Sequence, residues 1–123
     1  MAGKLSPKAQ AQLAALGELE KKIQHLYSLV ETFAAERKNP DSVAQTVKRG
    51  FGRLKIQLMG AGFDTMSQLC GAMEIAARRG LAQGQKARIL REGVGSLRFQ
   101  LDMTHRGVLA DEEARQRLEA KDP

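Results

Sequence analysis

The sequence predicts an all-α fold, an antiparallel four-helix bundle, on three observations. Apolar residues recur at spacings of three and four along most of the chain, which places one buried stripe on each helix. No stretch alternates polar and apolar residues as a half-buried strand would. The periodic segments are joined by short connections around Pro40, Gly60-Ala61-Gly62 and Gly80, and short connections make consecutive helices antiparallel neighbours. At 123 residues the chain suits one domain with a modest core. Aromatics are only 4% and Trp is absent, so Leu, Ile, Val, Met and Ala must fill the interior.

The first helix is expected over residues 7 to 37. Leu16, Leu19, Ile23, Leu26, Val30 and Phe33 make its stripe, and Gly17 is a point where it could bend or break. Lys38-Asn39-Pro40-Asp41 ends it, because a proline disfavours helical backbone in the residue before it. Ser42-Val43-Ala44-Gln45 then has the form of a capping box, hydroxyl at the N-cap and amide at N3. The second helix, about 42 to 60, closes at Gly60-Ala61-Gly62. Asp64 can cap a third helix whose apolar side is Met66, Leu69, Met73 and Ala77, with Gly80 after Arg78 and Arg79 as its C-cap signal.

A fourth helix, about 82 to 106, carries Leu90, Val94, Leu97, Leu101 and Thr104. Gly93 and Gly95 each weaken it by about 1 kcal/mol relative to alanine, and would let a neighbouring helix come close. The bundle domain is expected over 1 to 110. Residues 111 to 123 form a charged tail, either a short helix capped by Asp111 or a loose end. There is no internal repeat and no low-complexity segment.

Composition excludes several classes. No apolar run approaches the roughly 20 residues that span a bilayer, and the start MAGKLSPKAQAQ lacks a secretory pattern. A single cysteine, Cys70, excludes an internal disulfide and cannot alone make a zinc site. A cytoplasmic protein is expected. The net charge of +6 favours acidic partners: nucleic acid, an anionic membrane surface or an acidic protein.

Turning each residue by about 100° sorts the second helix into two arcs. Val43, Val47, Gly50, Phe51, Leu54, Leu58 and Ala61 share the buried one. Gln45, Lys48, Arg49, Gly52, Arg53, Ile56 and Met59 lie on or near the opposite one, with Lys55 at its border. Gly52 is thus expected to face solvent in mid-helix, where glycine is locally unfavourable.

Residues 49 to 80 resemble the histidine-containing phosphotransfer (HPt) domains of bacterial phosphorelays. That family's central helix reads His-x-Leu-Lys-Gly, with a glycine near the helix end, then a Leu-Cys pair and a Leu-Glu pair in the next helix. Leu54-Lys55 stand at the Leu-Lys pair, Gly62 at the turn glycine, Leu69-Cys70 at the Leu-Cys pair and Met73-Glu74 at the Leu-Glu pair. Arg49 suits a basic position before the histidine, and Gly80 ends the helix as the family's next turn does. The spacing agrees over about thirty residues without a gap.

The resemblance departs at its centre. The phosphoryl-accepting histidine would be residue 52, which is glycine, and the glycine that gives a receiver room to approach is Ile56. Transfer needs an exposed imidazole nitrogen to attack a phosphoaspartate, and none stands there. The resemblance therefore implies a pseudo-HPt protein. It would bind a response-regulator receiver domain or a histidine kinase and regulate or scaffold two-component signalling without carrying phosphate. The binding face would be Lys48, Arg49, Gly52, Arg53, Lys55, Ile56 and Met59, basic groups around a small apolar centre.

The other reactive residue types read as structural. His25 lies outside any acceptor motif, and His105 falls near the end of the fourth helix, where it could interact with the carbonyl end. Cys70 reads as core and Asp64 as a cap rather than a metal ligand. No catalytic triad, paired catalytic carboxylates or phosphate-cradling loop is apparent, so neither an enzyme nor a cofactor or metal site is expected. Two alternatives stay open. One is nucleic-acid binding through Arg49, Arg53, Arg78, Arg79, Arg88 and Arg91. The other is a structural helical module whose long first helix pairs outside its own bundle.

Overall fold

A computed structural model describes residues 5–121, and among them the chain forms four helices and no strand: α1 Pro7–Ala35, α2 Pro40–Gly60, α3 Asp64–Arg78 and α4 Gln83–Lys121. They pack as an all-α bundle in which α1 lies against α2 and α4, and α3 against α2 and α4. The expected stripe of α1 is buried throughout: Leu16, Leu19, Ile23, Leu26, Val30 and Phe33 all join the core. Phe51, Leu54 and Leu58 of α2, Met66, Cys70 and Met73 of α3, and Leu90, Val94, Leu97 and Leu101 of α4 complete it. Thr104 is only half-buried, its hydroxyl donating to Gln100 O at 2.9 Å.

The helix ends depart from the sequence expectations, for physical reasons. α1 stops at Ala35 rather than at 37, and runs unbroken through Gly17. Glu36 turns extended there, and its carboxylate accepts the backbone N–H groups of Lys38 and Asn39. α2 starts at Pro40, two residues before the expected box, with Asn39 as N-cap and no side-chain cap bond. Proline suits the first helical position, where its missing N–H would be unpaired anyway, so Ser42 lies inside the first turn. Asp64 is likewise within α3, after the N-cap Phe63, and caps nothing with its side chain. Its charge still favours the N-terminal end of the helix.

α2 closes as a Schellman motif: Phe63 N–H donates to Leu58 O at 2.8 Å and Gly62 N–H to Met59 O at 3.1 Å. Gly62, at φ +85°, is the residue that needs to be glycine. The same role expected of Gly80 is not taken, because α3 ends instead on Arg79 in extended conformation. Ala61, placed on the buried arc by the helical wheel, is exposed because it is already the C-cap. Gly50 and Val43 are half-buried rather than buried, as is Leu69 of α3.

The largest difference is in α4, which continues through the expected break after 106 and through Asp111 to Lys121. Residues 111 to 121 are its last turns and not a separate helix capped by Asp111. Glu112 explains why they are ordered. Its carboxylate accepts Ser6 N–H at 2.8 Å and the Ser6 hydroxyl at 3.1 Å, and also pairs with Arg115. Ser6 Oγ in turn accepts Ala9 N–H at 3.1 Å as the N-cap of α1. The start of α1 is thereby tied to a point near the end of α4. These bonds hold the Glu112 carboxyl down to about 2, the Arg115 guanidinium contributing most and Ser6 next.

Where α4 begins, it finishes the other helices. Gln83 Nε2 donates to Phe33 O at 2.8 Å and to Glu36 O at 2.6 Å, satisfying carbonyls at the end of α1. Buried Lys86 donates to Ala77 O at 3.1 Å at the end of α3, its ammonium 5.8 Å from the Phe33 ring centroid. Of the two glycines in mid-α4, only Gly93 lets a neighbour in. A Cβ there would overlap Met73 Sδ and stand 2.6 Å from Met73 Cγ, whereas Gly95 faces open space.

Candidate functional site

Val47, Phe51, Leu54 and Leu58 fix the rotation of α2, since all are within 2% of full burial. The opposite arc is therefore turned outward. Ile56 is 68% exposed and Met59 59%, with Arg49 and Arg53 exposed beside them. Lys48 is half-buried, as is Lys55 at the border of the arc. Ile56 and Met59 are thus exposed on the same arc of α2 as Arg49 and Arg53.

Gly52 differs from expectation. It is half-buried, and α3 covers it: Glu74 Oε2 lies 2.6 Å from the position of a Cβ at residue 52. Lys55 holds that carboxylate in place, Nζ donating to Glu74 Oε1 at 2.9 Å. The Lys55 stem passes over Gly71, where a Cβ would be 3.4 Å from Lys55 Cδ. Ser67 Oγ donates to Lys55 O at 2.9 Å, a second tie between α2 and α3. So the centre of the face is a glycine roofed by one side of an ion pair, not an open notch. Lys55 is also partly withdrawn from the cationic set, because its charge is answered by Glu74. Nothing in the sequence near residue 52 signals this roof, since Glu74 comes from the next helix.

The remaining candidates fall as follows. His25 is exposed on α1 and lines a groove shared with Arg49 and Arg53. His105 is exposed in mid-α4, far from any helix end, because the helix continues past it. Cys70 is buried, and that burial pushes its thiol up to about 12 against the opposing influence of the Lys55 charge. Arg91 is committed to Glu31, with Nε donating to Oε2 at 2.6 Å, which lowers the Glu31 carboxyl and raises the guanidinium. That removes one of the arginines from a nucleic-acid surface. Among the described residues no group of three or more His, Cys, Asp or Glu could hold a metal ion, and no helix is long and apolar enough to cross a membrane.

Sequence reasoning missed the contribution of α1. Lys22 and His25 stand across from Arg49 and Arg53 over the groove, and their positions one residue before the stripe residues Ile23 and Leu26 were the available signal. The arrangement sets exposed cations beside exposed and half-buried apolar side chains. No protein-family model matches the chain, and no curated protein or solved structure matches it either.

Proposed function

We propose that this chain is a non-catalytic, pseudo-HPt docking protein that binds a receiver domain or histidine kinase and regulates or scaffolds a phosphorelay without carrying phosphate. The observation that carries the reading is the outward face of α2: Ile56 and Met59 exposed among Arg49 and Arg53, around a Gly52 that has no acceptor side chain. Receiver active sites are acidic, so cations flanking an apolar centre would both steer and seat one. The Lys55–Glu74 pair at 2.9 Å stiffens this face by joining α2 to α3. Capture of receiver domains by the immobilised chain tests the partner, with Ile56→Asp as the probe of the face. Loss of capture in the variant is expected, and undiminished capture would remove this face from the interface. Acid-labile phosphate on the chain after incubation with a phosphorylated receiver would overturn the non-catalytic half.

A second reading, self-association, is favoured by an observation on α4 and not on α1, whose apolar stripe from Leu16 to Phe33 is spent on the bundle's own core. α4 leaves Phe99 (67%) and Met103 (51%) exposed one helical turn apart on the same face, with Leu118 (71%) exposed further along. Self-association through α4 would cover them. Light scattering at two concentrations separates a constant monomer mass from a rising one.

A further inference from the structure

We propose that the open groove between α1 and α2 seats an acidic amphipathic helix. The groove encloses about 700 Å³. Its floor is apolar, made by Leu26 and Leu29 of α1 and Leu54 of α2. Gly50 makes that floor possible: Leu26 Cδ2 lies 2.6 Å from where a Cβ at residue 50 would stand, so the leucine is laid across bare backbone. The rims are cationic, Lys21 and Lys22 on one side and Arg49 with Arg53 on the other; no Asp or Glu lines the groove, though Lys21 is paired with Glu18 at 3.3 Å.

Among the described residues, Lys22, Arg49 and Arg53 form no ion pair, whereas Arg91, Arg106, Arg115 and Arg117 each have a carboxylate partner. A row of unpaired positive groups bordering an apolar floor is complementary to a helix with leucine-type anchors on one side and carboxylates flanking them.

The shape selects a helix over a small apolar anion. Between Thr46 and Gln57 the α2 wall runs about 16 Å, at about 1.5 Å per residue, which accepts about three helical turns. The groove is open to solvent on one side, so an occupant keeps part of its surface in water. An amphipathic helix has a polar back to expose, whereas an alkyl chain would leave apolar surface wet at a cost. The groove shares Arg49, Arg53 and Ile56 with the docking face of α2, but half of it belongs to α1 and it requires no receiver fold.

The test is a titration of the full-length, 15N-labelled chain with a synthetic peptide of about 18 residues, long enough to form a helix on binding. Its leucines repeat at helical spacing and glutamates fill the other positions. One control replaces every glutamate with lysine; another ligand is sodium dodecanoate. Saturable shifts of the Leu26, Leu29, Gly50 and Leu54 amides with the acidic peptide alone are expected. The exposed-site double variant Lys22→Glu/Thr46→Trp, with its fold verified by circular dichroism, should weaken binding by about tenfold through charge reversal and obstruction. Equal binding of acidic and basic peptides, shifts located elsewhere, an unaffected double variant, or no shift at about millimolar peptide would each overturn the proposal. So would shifts produced by dodecanoate and not by the peptide. Because Lys22 and Thr46 lie outside the α2 docking face, receiver capture that survives in the double variant while the wild-type chain ignores the peptide would refute the groove and leave the docking reading standing. Peptide binding without receiver capture would do the reverse.

Discussion

Replacing Gly52 with alanine separates a glycine that the fold requires from one that it merely tolerates. Two opposing effects set the outcome. An alanine in mid-helix is favoured over glycine by about 1 kcal/mol. Against that, the new methyl would meet Glu74 Oε2 at 2.6 Å, so the carboxylate must move. The obstructing atom is the far end of a side chain, and its ion pair with Lys55 is partly exposed, at 28% and 33% for the two side chains. Such a pair contributes at most about 1 kcal/mol. The two terms oppose, and Gly52→Ala should change stability by about 0 to 1 kcal/mol in the stabilising direction. In a Glu74→Ala background the obstruction is gone, and the same substitution should stabilise by about 1 kcal/mol. Urea unfolding of the wild type, both single variants and the double variant gives the cycle directly. A loss of more than about 1 kcal/mol on Gly52→Ala alone would refute this reasoning. Residue 52 would then be glycine because α3 demands it, and a vacated acceptor position would no longer be needed to account for it.

The other expectations concern packing, pH and reactivity. Gly93→Ala should destabilise by about 1–3 kcal/mol, because the added methyl overlaps Met73, while Gly95→Ala, facing open space, should stabilise by about 1 kcal/mol; equal effects at the two sites would contradict the α3–α4 packing. Glu112 is held down to about 2 from an ordinary 4.5, so its contribution is complete above about pH 4.5 and is lost as pH falls toward 2. The melting temperature of the wild type should therefore drop across that window more than that of Glu112→Gln, and parallel curves would exclude the Ser6–Glu112 tie. The Cys70 thiol, pushed up to about 12 by burial, should react with a disulfide reagent at pH 8 only as fast as the chain opens. Prompt stoichiometric labelling of the native protein would show that it is not in the core.

The stripe of α1 and the two arcs of α2 were legible because each is a property of one helix. Leu16 through Phe33 needed only their spacing to be placed in the core, and Ile56 and Met59 needed only the same turn angle to be placed in water. What the sequence hid depends on residues far apart. Glu74 over Gly52 joins two helices, and no local pattern marks it. The continuation of α4 past Gly107 rests on Glu112 meeting Ser6, 106 positions earlier, so a weak helical stretch with a plausible cap at Asp111 looked like an ending. The caps misled for a different reason. Ser42 and Asp64 are good N-cap residue types, but Pro40 at the first position of α2 and the turn at Gly62 had already set where each helix begins.

The tie between Ser6 and Glu112 has a mechanical consequence. α1 and α4 lie antiparallel as neighbours, so the first and last described residues leave the bundle from one end. Tension applied to the two ends pulls that pair open crosswise, one contact at a time, rather than sliding one helix along the other. The serine–carboxylate bonds are then the first to carry load, and the Arg91–Glu31 bridge yields only after the interior between them has peeled apart.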